Sequence, residues 1–134
     1  MSLALLLTVL AHTLSAVGAT QRAPKRRVAC KTPKIAAGCY WAHGRLSAAN
    51  GNSTMRVWKI GTRRMLGILS GPGAEKSDPS DSLHPELPEN VDRALKTVNT
   101  RIFANFEICP LEPEAAGKMQ DVCIESAKDI VTDR

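Results

Sequence analysis

Apolar and polar positions alternate most clearly near the C-terminal end of the chain. Ile102, Ala104, Phe106 and Ile108 alternate with Phe103, Asn105 and Glu107, and Val122 and Ile124 alternate with Asp121 and Glu125. A period of two belongs to a strand with one face in a core. Strands are therefore predicted over 102–108 and 118–126, joined by the loop 110–117. Upstream, β-prone runs at 39–48 and 54–60 flank Asn50-Gly51-Asn52-Ser53, and Asn-Gly between such runs is a strong hairpin signal. Gly61-Thr62 marks a second tight turn into a third run, 63–69, so the three runs form a meander. Gly44 is placed for a bulge or bend in the first strand.

One segment changes period. Leu87, Val91, Ala94, Leu95 and Val98 recur at helical spacing, with Glu86, Glu89 and Asp92 near one end and Lys96 near the other, as the helix dipole favours. A short helix over 88–97 follows. The residues before it, 71–88, hold Pro72, Pro79, Pro85 and Pro88 and read as a surface loop. Residues 20–37 are basic, contain Pro24 and Pro33 and have no apolar period, which reads as a flexible arm; 128–134 read as a charged, frayed tail. The whole is a mainly β domain over 38–127 with the order β-β-β-α-β-β. That order is the one of the oligonucleotide/oligosaccharide-binding (OB) barrel, whose helix lies between the third and fourth of five strands. A β-sandwich or an open α+β sheet is the alternative.

Residues 1–19 carry no charge and a Leu-rich stretch shorter than the ~20 apolar residues of a membrane span. They read as a signal peptide cleaved after Ala19, giving a secreted or periplasmic chain with no transmembrane segment in its mature part. The remaining ~115 residues suffice for one modest core. Cys30, Cys39, Cys109 and Cys123 are an even set in a small exported chain and read as two disulfides. Zinc is disfavoured because no Cys-x-x-Cys occurs and the mature chain has only His43 and His84 as imidazole donors. The shortest closures pair Cys109 with Cys123 and Cys30 with Cys39.

Charge adds a polarity that the strand pattern does not show. Residues 1–73 hold eleven basic and no acidic residues, and 74–134 hold seven basic and thirteen acidic, so the formal +5 divides into +11 and −6. Trp41, Arg45, Arg56, Trp58, Lys59, Arg63 and Arg64 fall on the predicted meander and form the candidate binding set. Arg beside Trp suits anionic, planar or sugar-containing ligands through charge, cation–π contact and stacking. Aromatic residues make up only 4% of the chain, however, so a five-stranded core is expected to draw in Trp58. No nucleophile lies in a motif with a base: His84 reads as solvated, His43 shares a strand face with Trp41 and Arg45, and the pairs Glu112/Glu114 and Asp121/Glu125 read as solvated faces. Neither a catalytic residue, a metal site nor a cofactor is predicted.

The segments Gly44-Arg45-Leu46, Asn50-Gly51, Arg56-Val57-Trp58-Lys59-Ile60-Gly61-Thr62-Arg63-Arg64-Met65-Leu66-Gly67, Phe106-Glu107-Ile108-Cys109-Pro110 and Met119 to Ala127 resemble the core of a group of small exported bacterial proteins with a later cysteine pair. The resemblance covers roughly 38–69 and 101–127 and implies a bacterial, exported origin without an activity. The sequence thus leads to a non-enzymatic exported domain that meets an anionic surface, polysaccharide, nucleic acid or acidic protein through its basic half. An OB-like polyanion binder is the alternative, and a small secreted hydrolase a distant one.

Overall fold

A computed structural model describes residues 28–48, 55–74, 81, 84–97 and 99–133. The leader 1–19, the first part of the arm and the Asn50-Gly51 turn lie outside the described residues. Five strands, β1 (Tyr40–Ala48), β2 (Met55–Lys59), β3 (Met65–Ile68), β4 (Arg101–Pro110) and β5 (Gln120–Asp133), close into a barrel in the order β1-β2-β3-β5-β4. All neighbours are antiparallel except β3 and β5, which run parallel with Leu66 opposite Gln120. A helix, α1 (Glu89–Ala94), stands between β3 and β4 in the chain and packs against β5. Closure excludes the open sheet and the sandwich, and the element order is that of the OB barrel.

The period-two pattern holds. Ile102, Ala104, Phe106 and Ile108 of β4 all point into the barrel with no exposed surface, where they meet Leu46, Val57, Leu66, Ile68, Val122 and Ile124. Leu87 and Val91 join this core from the helical segment. The interior of a five-stranded barrel is narrow, and branched aliphatic side chains with one phenyl ring fill it. Trp58, expected inside, is instead on the outer wall, where its register places it opposite Arg45 and Met65. Its indole N–H also needs an acceptor, which the apolar interior lacks and which Thr62 O supplies at 2.8 Å outside.

Gly44 produces no register shift; the shifts lie between β4 and β5, at Phe103/Asn105 and Glu107/Ile108. What Gly44 provides is close approach, since a Cβ there would lie 2.6 Å from Val57 Cγ1 and 3.1 Å from Trp58 O. Neither atom sits at the end of a flexible side chain. Gly44→Ala should therefore destabilise the fold by about 2 kcal/mol through overpacking. Urea unfolding reads this as a lower midpoint with an unchanged slope, and an unmoved midpoint would mean that the strands spread freely there.

Three boundaries differ from the sequence pattern. The helix stops at Ala94 rather than Thr97, because the Thr97 amide and the hydroxyls of Thr97 and Thr100 bond to one another and turn the chain. The expected tail is strand: β5 continues to Asp133, pairing Val131 with Phe103 and Thr132 with Ile102, because the first residues of β4 need ladder partners. The arm is not free over 28–37. Cys30 is buried, the Lys31 amide donates to Glu125 at 2.9 Å and the Val28 amide to Glu86 at 2.9 Å. A Cβ on Gly71 would collide with Val28, so the arm lies flush on that turn.

The disulfides join Cys39 to Cys109 and Cys30 to Cys123, not the pairs with the shortest closures. Register explains the difference. Cys109 faces Cys123 across β4 and β5, and Cys39, just before Tyr40 whose partner is Ile108, stands beside Cys109 on the other flank. Three cysteines thus occupy one row, and the central one takes its β1-side neighbour at a Cα separation of 4.2 Å. The docked arm then brings Cys30 to Cys123 at 5.8 Å.

Candidate functional site

The outer wall of β1, β2 and β3 carries most of the candidate set. Arg45 on β1 is opposite Trp58 on β2, its guanidinium carbon 5.2 Å from the ring centroid. Arg56 occupies the next outward position of β2, diagonal to Arg45, so two like charges are neighbours on this face. Arg56 is opposite Gly67 on β3, and Gly67 is opposite Asp121 on β5; Gly67 is buried, and Met119 and the Asp121 carboxylate cover it on this face.

The β2–β3 turn sets the edge of the wall. Gly61 takes φ 82°, a left-handed conformation that glycine adopts without strain. Thr62 Oγ1 donates to Lys59 O at 2.7 Å and accepts the Arg64 amide at 3.0 Å. With the Trp58 indole bonded to the same turn, Trp58, Arg63 and Arg64 are held on one hydrogen-bonded frame.

Beside this turn lies a cleft of about 280 Å³ lined by Arg63, Arg64, Met65, Ala115, Gly117, Lys118 and Met119. Its far side is the β4–β5 loop, clipped by Glu112, which accepts Lys118 Nζ at 2.6 Å and the Asp121 amide at 3.1 Å. The Lys118 hydrogen bond, with that of the Asp121 amide, holds the Glu112 carboxyl below the usual range, and Glu112 in turn raises Lys118. Glu114 meets Arg64. Both glutamates are thus engaged in ion pairs. The acidic half neutralises the basic half only in part: among the described cations of residues 28–73, Lys31 meets Glu107 at 2.5 Å and Arg64 meets Glu114. Hydrogen bonding to Glu107 raises Lys31, and Lys31 correspondingly lowers Glu107. Arg45, Arg56, Lys59 and Arg63 have no carboxylate partner among the described residues.

The candidate set therefore divides. Arg45, Arg56 and Trp58 share one wall, and Arg63 and Arg64 stand at its cleft end. Lys59, of opposite parity, turns to the Tyr40 ring at 4.7 Å. Trp41 is 48% exposed on the outer face of β1, towards β4 rather than β2. Met65, Lys118 and Met119 escaped the sequence pattern because the loop carrying two of them reaches the turn only when the barrel closes. The class that fold and site define is a small disulfide-bonded β-barrel with a basic, aromatic outer wall. The chain matches no known protein family, no curated protein and no solved structure.

Proposed function

We propose that this chain is an exported, non-enzymatic barrel that binds a polyanion, an acidic polysaccharide or single-stranded nucleic acid, across the outer wall of β1, β2 and β3. One observation carries the proposal: Arg45 and Arg56 are half-buried neighbours with no carboxylate partner among the described residues, and the Nε of each is covered and makes no hydrogen bond to them. Two partly desolvated guanidinium groups side by side are costly until an anion approaches. Trp58, opposite Arg45 and next to Arg56 on the outer face of β2, adds a stacking surface, and the second and third strands with the flanking loops are the part of an OB barrel that holds polymers. The uncharged leader, the cysteine pairs and the resemblance to exported bacterial proteins support export.

Binding of heparin and of labelled oligo(dT) across a salt series tests this. With three to four cations engaged, the logarithm of affinity should fall linearly with that of salt, with a slope of about −2 to −3 on single strands. Affinity independent of salt, or no affinity at low salt, overturns the proposal.

A further inference from the structure

The other outer wall, where β1 meets β4 and β5, carries a polar relay that the polyanion site does not use. Asn105 of β4 is opposite His43 on one side and Lys128 on the other. Its Nδ2 donates to Asp129 Oδ2 at 2.9 Å, which turns its Oδ1 towards His43 Nδ1 at 3.1 Å. Because an amide oxygen only accepts, His43 Nδ1 must be the donor, and in the neutral ring of this exposed side chain Nε2 is left as an acceptor.

Asp129 reaches Asn105 through a backbone irregularity. It lies where β5 slips against β4, between the Phe103 and Asn105 pairs, and it is the only described non-glycine residue with positive φ, 57°. Bulges of this kind re-aim side chains. Here the bulge sends a carboxylate along the outer wall, with no partner for its second oxygen among the described residues.

Trp41 stands two residues before His43 on the same face of β1 and is one of the two exposed large hydrophobic side chains among the described residues. The exposed Lys128 ammonium rests 4.3 Å from its ring centroid, and the flexible stem lets it swing aside or towards a ligand oxygen. The surface therefore offers a flat apolar ring, two outward acceptors and one movable donor. A polyanion is a poor match, since Asp129 and, opposite Trp41, Glu107 are acidic. A neutral pyranose matches: its C–H face covers the ring, its hydroxyls donate to His43 Nε2 and Asp129 Oδ1, and Lys128 donates to a ring or hydroxyl oxygen.

We propose that Trp41, His43, Asn105 and Asp129 form a binding platform for a neutral sugar unit, distinct from the basic wall and independent of whether that wall binds a polyanion.

The test applies the full chain to an array of neutral and acidic oligosaccharides in about 0.5 M salt, where the Debye length falls below ~5 Å and capture by charge is suppressed. Neutral glycans should be retained. Trp41→Ala and Asp129→Asn should each reduce retention about tenfold or more, while Arg56→Gln leaves it unchanged. Asparagine tolerates the left-handed backbone of position 129, so that variant keeps the fold, and thermal melts of both variants confirm it. Absence of any retained neutral glycan, retention confined to acidic glycans, or insensitivity to either substitution in a folded variant overturns the proposal.

Discussion

Full reduction of the two disulfides is expected to unfold the chain, or bring it to the edge of unfolding, without any denaturant. The bonds are nested: Cys39–Cys109 spans 70 residues and lies inside Cys30–Cys123, which spans 93. In the chain-entropy model the inner bond is worth about 4 kcal/mol. Once it is formed, the outer bond closes an effective loop of only about 23 residues and adds about 3 kcal/mol. The sum of about 7 kcal/mol compares with a total stability of about 5–15 kcal/mol for a domain. At a urea slope of about 1–3 kcal/mol per molar, reduction should move the midpoint by several molar or abolish the transition. Urea titrations of oxidised and reduced, alkylated chain measure this. A shift below about 1 M would mean that strand pairing alone specifies the barrel. By the same arithmetic, each bond removed alone from the oxidised chain costs about 3 kcal/mol, because the surviving bond still closes a long loop, so Cys30→Ser/Cys123→Ser and Cys39→Ser/Cys109→Ser should destabilise about equally.

Neutralising the basic wall should separate binding from folding. In Arg45→Gln/Arg56→Gln/Arg63→Gln, three cations without carboxylate partners among the described residues disappear, while the long polar stems that cover the strands are kept in part. At about 1 kcal/mol for each cation near an anionic surface, affinity for heparin should fall on the order of 100-fold. The salt slope on oligo(dT) should also become shallower by about 2. Arg64→Gln is the control. Its charge already faces Glu114, so it should lose little, and removing Glu114 instead should strengthen binding by freeing that guanidinium. Unchanged affinity in a triple variant with native circular dichroism would show that the wall is merely solvated.

The sequence shows which residues face inward, but not which strands lie side by side. Ile102, Ala104, Phe106, Ile108, Val122 and Ile124 announce themselves by alternation, and the turn signals and helical spacing add the other strands and the helix in the right order. The scarcity of aromatic residues points Trp58 to the core, but parity places it outside because Val57 takes the interior position. The cysteine pairing was inaccessible because proximity in the chain favours short closures, whereas the sheet aligns Cys39, Cys109 and Cys123 across strands far apart in sequence. Arg45, Arg56 and Trp58 were legible as residue types, and their grouping on one wall follows from register. The His43–Asn105–Asp129 relay depends on a slip of β5 against β4 that no local pattern signals. The docked arm was hidden for a similar reason: Glu86, Glu107 and Glu125, which hold it, are distant in the chain.

The connectivity of the barrel also bears on the order in which it is made. On the proposed export route, a chain that emerges with its N-terminus first exposes Cys30 and Cys39 together before their partners Cys109 and Cys123. β1 likewise waits for β4, and β3 for β5, so the barrel cannot close early even though the β1–β2–β3 meander can pair. In an oxidising compartment the first thiols to meet are therefore a mismatched pair, and thiolate attack must later open that bond. On that route, folding would call for a reshuffling catalyst, and the yield is expected to track the supply of disulfide isomerase rather than of oxidant.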